Sequence, residues 1–111
     1  MENEVKSWLS DILQAIEEIE TFLPHPRNFI QFQQDVKTRR AVERNISIIG
    51  EAVSRILKAL PDVEISNARK IVDTRNRIMH GYDSVSEDIL WSIVIKNLPD
   101  LKVDVQSLLS K

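Results

Sequence analysis

The sequence predicts an all-α protein, an up-and-down antiparallel bundle of four to five helices folded as one domain over residues 1–111. Three observations carry this. Apolar residues recur at spacings of three and four through most of the chain, the period of one helix face. Only two Gly and four Pro occur in 111 residues, which leaves room for long unbroken helices and argues against a turn-rich β protein. With 42% apolar and 29% charged residues, the chain has the balance of a globular domain with one modest core.

The first helix runs from about Asn3 to Leu23, with Val5, Trp8, Leu9, Ile12, Ile16, Ile19 and Leu23 on its apolar face. Pro24-His25-Pro26 ends it, because a residue before proline is driven out of helical conformation. A short turn over Asn28 to Gln34 follows, anchored by Phe29, Ile30 and Phe32. The next helix spans Val36 to Leu60, with a stripe of Val42, Ile46, Ile49, Val53, Ile56, Leu57 and Leu60, and Pro61 stops it. Gly50 inside it costs roughly 1 kcal/mol relative to Ala, and close packing against a neighbouring helix explains it better than a functional role.

A third long helix is expected from near Glu64 to Ser66 as far as Gly81, with Ile65, Ala68, Ile71, Val72, Ile78 and Met79 on one side. Ser86, followed by Glu87 and Asp88, is a good N-cap for a fourth, carrying Ile89, Leu90, Ile93, Val94 and Leu98. Pro99 is expected to break or kink it. Leu101, Val105, Leu108 and Leu109 continue the pattern to the C-terminus. Short loops between such helices imply antiparallel neighbours.

Composition also excludes chemistry. The chain has no Cys, so disulfides and thiolate metal sites are impossible. The start, Met1-Glu2-Asn3-Glu4, lacks the basic residues and apolar run of a signal peptide. No apolar stretch approaches the roughly 20 residues that span a bilayer. A cytoplasmic protein without a membrane partner is expected. The net charge of −2 counts against a broad electrostatic grip on nucleic acid and leaves room only for a local basic cleft.

The chemistry-bearing stretch is Asp73-Thr74-Arg75-Asn76-Arg77-Ile78-Met79-His80-Gly81-Tyr82-Asp83. Arg75 lies three and four residues from Val72, Ile71, Ile78 and Met79, in the middle of the apolar stripe. A guanidinium there needs a carboxylate, for which Glu51 is the candidate, or a cleft that receives an anion. Arg77 falls off the stripe and reads as a solvated charge or a secondary phosphate contact. Asn76 and His80 are four apart and share a face. Gly81 is a natural helix-ending residue, so His80 sits at the negative end of the helix dipole, which favours imidazolium and suits it to proton transfer. The plainer alternative is a helix that simply ends in His-Gly with Tyr82 packing back. Asp73 and Asp83 flank the motif without metal-ligand spacing, and no metal or cofactor is expected.

Arg for a phosphate, His for a proton and Asn as a neutral donor and acceptor together fit metal-free cleavage of RNA by its own 2′-hydroxyl. That reaction benefits from two proton carriers. His25 lies in a Pro-flanked loop far away in sequence, so a two-fold dimer bringing a second His80 to the same cleft would supply the other.

These residues resemble a known family. Arg75-x4-His80-Gly81-Tyr82 looks like the Arg-x4-His-x-Tyr motif of HepT-like toxins in the HEPN superfamily. Arg39-Arg40-Ala41-Val42-Glu43 with Ile48-Ile49-Gly50-Glu51-Ala52 is similar to that family's central helix. Trp91 and Asn97-Leu98-Pro99-Asp100-Leu101 are similar to its closing segment. The resemblance covers Arg39 to Leu109 well and the first helix loosely. It implies a HEPN-like homodimer with both motifs facing one cleft, and a metal-independent endoribonuclease that arrests growth. It further implies a nucleotidyltransferase antitoxin that can transfer AMP to Tyr82. Carried onto this chain, Arg75 holds the scissile phosphate, His80 is the general base or acid, Asn76 orients His80 or the ribose, and Tyr82 lines the cleft. The alternative is a noncatalytic dimeric helical module that binds a nucleotide or a partner nucleotidyltransferase.

Overall fold

The computed structural model describes residues 2–81 and 85–111. Helices α1 (Asn3–Phe22), α2 (Phe29–Gln34), α3 (Val36–Ala59), α4 (Ala68–His80), α5 (Glu87–Ser92) and α6 (Leu98–Leu109) follow in order, with a π-helical turn over Ile93–Asn97 joining the last two. The molecule is flat, 41 × 32 × 18 Å. Its thinnest dimension fits two layers of helices with axes roughly 8–10 Å apart.

α3 is the central rod. It buries Val42, Ile46, Ile49, Val53 and Ile56, and α1 meets it with Val5, Leu9, Ile12, Ile16 and Ile19. Each such side chain contributes roughly 1.5–3 kcal/mol when fully buried. The buried Asn45 fixes how α1 and α3 are set against each other. Its amide nitrogen donates to the Ala15 carbonyl at 3.1 Å and to Glu18 Oε1 at 2.9 Å. α4 packs chiefly on α3, and α6 on α1.

The ends of the helices have identifiable causes. Asn28 caps α2 by accepting from the Gln31 N–H at 3.0 Å. Asp35 caps α3, accepting from the Thr38 N–H at 3.0 Å and hydroxyl at 2.6 Å. Ser86 caps α5 through the Ile89 N–H. Gly81 ends α4 in the left-handed region at φ 61°, its N–H donating to the Arg77 carbonyl.

Several expectations need correction. The segment from Asn28 to Gln34 is a short helix rather than a turn. Within it Ile30 is no anchor, being 58% exposed, whereas Phe32 is buried. α4 starts at Ala68, later than expected, because Asn67 takes a left-handed φ of 62°. Just before it, the Ser66 N–H is held by the Asp104 carboxylate at 2.8 Å, so Ile65 enters the core from the connecting segment. Leu60 and Met79 lie outside the core, Met79 at 60% exposure. Pro99 neither breaks nor sharply ends the rod. The preceding turn widens, the Leu98 N–H reaching the Ile93 carbonyl five residues back. Proline has no N–H to offer the ladder, and the wider turn carries the helix past it.

Candidate active site

The site is built where α4 crosses α3, and Gly50 sets how closely they approach. A Cβ on Gly50 would stand 2.3 Å from Arg75 Cβ, 2.9 Å from its Cγ and 3.2 Å from the Ile71 carbonyl oxygen. The missing side chain is therefore the space that the Arg75 stem occupies. Next along α3, Glu51 accepts a hydrogen bond from Arg75 Nη2. The other arm of the guanidinium, Nη1, donates to Asn76 Oδ1 at 2.9 Å. Glu51 also takes Arg55 at 3.0 Å, one turn further along its own helix. The Arg75 head group is thus held on two sides, with its side chain 25% exposed.

Arg75 lines a cleft of about 580 Å³ between α1, α3 and α4. Trp8, Ile48 and Met79 supply apolar wall, and Arg44 and Arg55 join Arg75 as cations. The Ser47 hydroxyl, also on this wall, is buried without a hydrogen-bond partner among the described residues. The exposed Met79 side chain, misplaced by the stripe reading, belongs to this cleft rather than to the core.

His80 is exposed at the last position of α4. It stands roughly 7.5 Å further along the axis than Arg75 and about 140° round it. Asn76 lies between them on the helix surface, hydrogen-bonded to Arg75 and one turn before His80. Arg75 and His80 therefore leave the helix on well-separated sides, more than a third of a turn apart, and His80 is outside the lining of the cleft. Arg77 is exposed, and His25 is exposed in the segment between α1 and α2, away from α4 in the sequence. Tyr82 and Asp83 lie outside the described residues. Among the described residues, no three His, Asp or Glu groups converge as metal ligands, and no helix is long and apolar enough to cross a membrane.

Trp8, Arg44, Ser47, Ile48 and Arg55 are not singled out by the motif. The signal is a second stripe on α3, where Arg44, Ile48, Glu51 and Arg55 repeat at intervals of four and three beside the buried one. Such spacing puts them on one flank of the helix.

A family model described as ribonuclease HepT-like matches residues 12–108. A Thermococcus cleftensis protein provisionally named ribonuclease HepT is 37% identical over 106 residues, 92% of this chain and 93% of its own. A Methanocaldococcus jannaschii protein with a provisional RNase name is 31% identical over 101 residues, 87% of this chain and 80% of its own. Another RNase-named protein, from Caldanaerobacter subterraneus, is 31% identical over 85 residues, 76% of each chain. No solved structure matches the chain.

Proposed function

The chain belongs to the ribonuclease HepT-like family of the HEPN superfamily, and on that premise we propose that it is the endoribonuclease toxin of a toxin–antitoxin pair. The observation that carries the reading is the Arg75 guanidinium. Glu51 and Asn76 hold it at the wall of a cleft, on the helix whose last residue is His80.

In this reading Arg75 binds the scissile phosphate of RNA and stabilises the charge that builds on it. The ribose 2′-oxygen attacks phosphorus and gives up its proton to one imidazole. The P–O5′ bond breaks, and the departing oxygen takes a proton from a second imidazole. The products are a 2′,3′-cyclic phosphate and a free 5′-hydroxyl. His80 of one copy and its counterpart in a two-fold partner act as base and acid. Asn76 fixes the Arg75 head and lies on the His80 side of the helix. Arg77 adds a peripheral phosphate contact. No metal or cofactor takes part. A nucleotidyltransferase antitoxin neutralises the toxin by transferring AMP from ATP to the Tyr82 hydroxyl, which loses its proton as pyrophosphate leaves.

The test is RNA cleavage and growth arrest by the wild-type chain and by His80→Ala, each with and without EDTA. Loss of both effects in His80→Ala, with EDTA harmless, is the expected result. Equal cleavage by His80→Ala, abolished by EDTA, would overturn the mechanism. Co-expression with the nucleotidyltransferase encoded beside the toxin should add the mass of AMP to the Tyr82 peptide, and an unshifted peptide removes that part.

A second reading has a specific observation behind it. Glu51 already neutralises Arg75 on a chain of net charge −2, which suits a noncatalytic module that binds a nucleotide or a nucleotidyltransferase. That reading wins if the protein binds such a partner while the purified dimer leaves RNA intact.

A further inference from the structure

We propose that the cleft between α1, α3 and α4 is a nucleobase subsite, in which a base adjoining the Arg75-bound phosphate leaves its strand and stacks on Trp8. This rests on the ribonuclease reading and adds the form of RNA that the site takes, a single strand with an unstacked base.

The two tryptophans of the chain have different surroundings. Trp91 packs among aromatic rings, with Phe29 and Phe32 centroids at 5.9 and 5.1 Å. Trp8 is half-buried on the cleft wall, with no aromatic ring of the described residues stacked on it. Ile48 and Met79 border the same space and stay 37% and 60% exposed. The volume of about 580 Å³ falls within the roughly 300–1,000 Å³ of small-molecule sites.

The balance of charge favours a phosphate-bearing occupant. Arg44, Arg55 and Arg75 outnumber the carboxylates Asp11 and Glu51 around this cleft, although acidic groups outnumber basic ones over the whole chain. An apolar floor with an aromatic face and guanidinium groups around it matches a base with its flanking phosphates. The Asp11 carboxylate on the same wall is available to the polar edge of that base. Bases inside a duplex are stacked and offer no free face, so recognition of this kind selects loops and single strands.

The experiment uses the full chain carrying Trp91→Phe, which leaves Trp8 as its one indole. It is titrated with a short single-stranded 2′-deoxy oligonucleotide, which lacks the attacking hydroxyl, and with an abasic version of equal phosphate count. The base-containing strand should change Trp8 emission and the abasic strand should not, and His80→Ala should leave this difference intact. Trp8→Ala should weaken binding of the base-containing strand about ten-fold and leave the abasic strand unaffected, while Trp8→Phe should retain most of the binding. Trp8 emission that ignores a bound strand overturns the proposal, as does equal affinity for the two strands. An indole already shielded from acrylamide before any strand is added also overturns it, because a second copy then fills the cleft. Each of these failures leaves cleavage by the wild-type chain standing, so the subsite and the ribonuclease reading fail separately.

Discussion

Arg75 is a planar fork whose two arms are committed to different partners, Glu51 and Asn76. A lysine would keep the charge and lose the second arm. Arg75→Lys should therefore lower kcat by about a hundred-fold, the scale on which loss of one transition-state donor acts, with the far-ultraviolet circular dichroism unchanged. A kcat within a few-fold of wild type would show that a point charge suffices. Under the proposed function Glu51 acts in the opposite sense on binding, since an RNA phosphate would share Arg75 with its carboxylate. Glu51→Gln should lower KM by removing that competition and lower kcat by loosening the guanidinium. A raised KM would show that Glu51 helps binding rather than opposing it. The Arg75–Glu51 pair is legible in the sequence because a guanidinium on an apolar stripe has few ways to be neutralised. The cleft around it is less so. Trp8 and Met79 read as core residues, because periodicity assigns a side to each residue without locating the edge of the buried zone. Only the position of α1 and α4 against α3 turns their side chains into cleft wall.

At the scale of the helix, Gly50 and Gly81 shape the site for different reasons. Gly81 has φ 61°, and none of the described residues crowds the place where a side chain would go, so its role is conformational. Gly50 is helical and meets Arg75, so its role is steric. Gly50→Ala should destabilise the protein by roughly 1–3 kcal/mol, the usual cost of overpacking, and lower activity along with it, measured by urea unfolding and by RNA cleavage. Gain of stability would mean that the α3–α4 contact yields easily and the alanine's better helix propensity wins. The start of α3 carries a pH-dependent element. Hydrogen bonds from the Thr38 hydroxyl, then its N–H, hold the Asp35 carboxyl below its ordinary 3.8, with smaller help from Lys37 and Arg39. A depressed pKa means that the cap stabilises above the unfolded value and is lost as pH falls through the lower folded value. The stability gap between wild type and Asp35→Ala should thus close on acidification below about pH 3.8. A gap unchanged by acid would assign the cap's effect to the neutral hydrogen bond. The bodies of α1 and α3 are legible because their stripes are long and end at prolines. The start of α4 is not, because residues 64–67 do not interrupt the helical pattern and the tether from Asp104 comes from the other end of the chain. The π-helical turn before Pro99 is equally invisible to a pattern that only marks proline as a breaker.

For the whole molecule, the proposed cleavage uses two imidazoles, while only one histidine of the chain lies on the Arg75 helix. His80 is exposed at the end of an edge helix, and His25, the chain's other histidine, is exposed between α1 and α2. If the acid and the base are the two His80 side chains of a two-fold dimer, a subunit lacking His80 poisons the wild-type subunit it pairs with. Mixing wild type with His80→Ala and allowing exchange should make activity fall with the square of the wild-type fraction, to about a quarter at an equal mixture. Subunits that each carry a complete site would instead retain about half. The comparison must be made above the dissociation constant of the dimer, since dilution lowers the dimer population by mass action. Sedimentation at the working concentration supplies that control, and a monomer that still cuts RNA at full rate would sink the shared site. A linear mixing curve from stable, freely exchanging dimers would place the second proton carrier within the same chain and require a group other than the partner's imidazole.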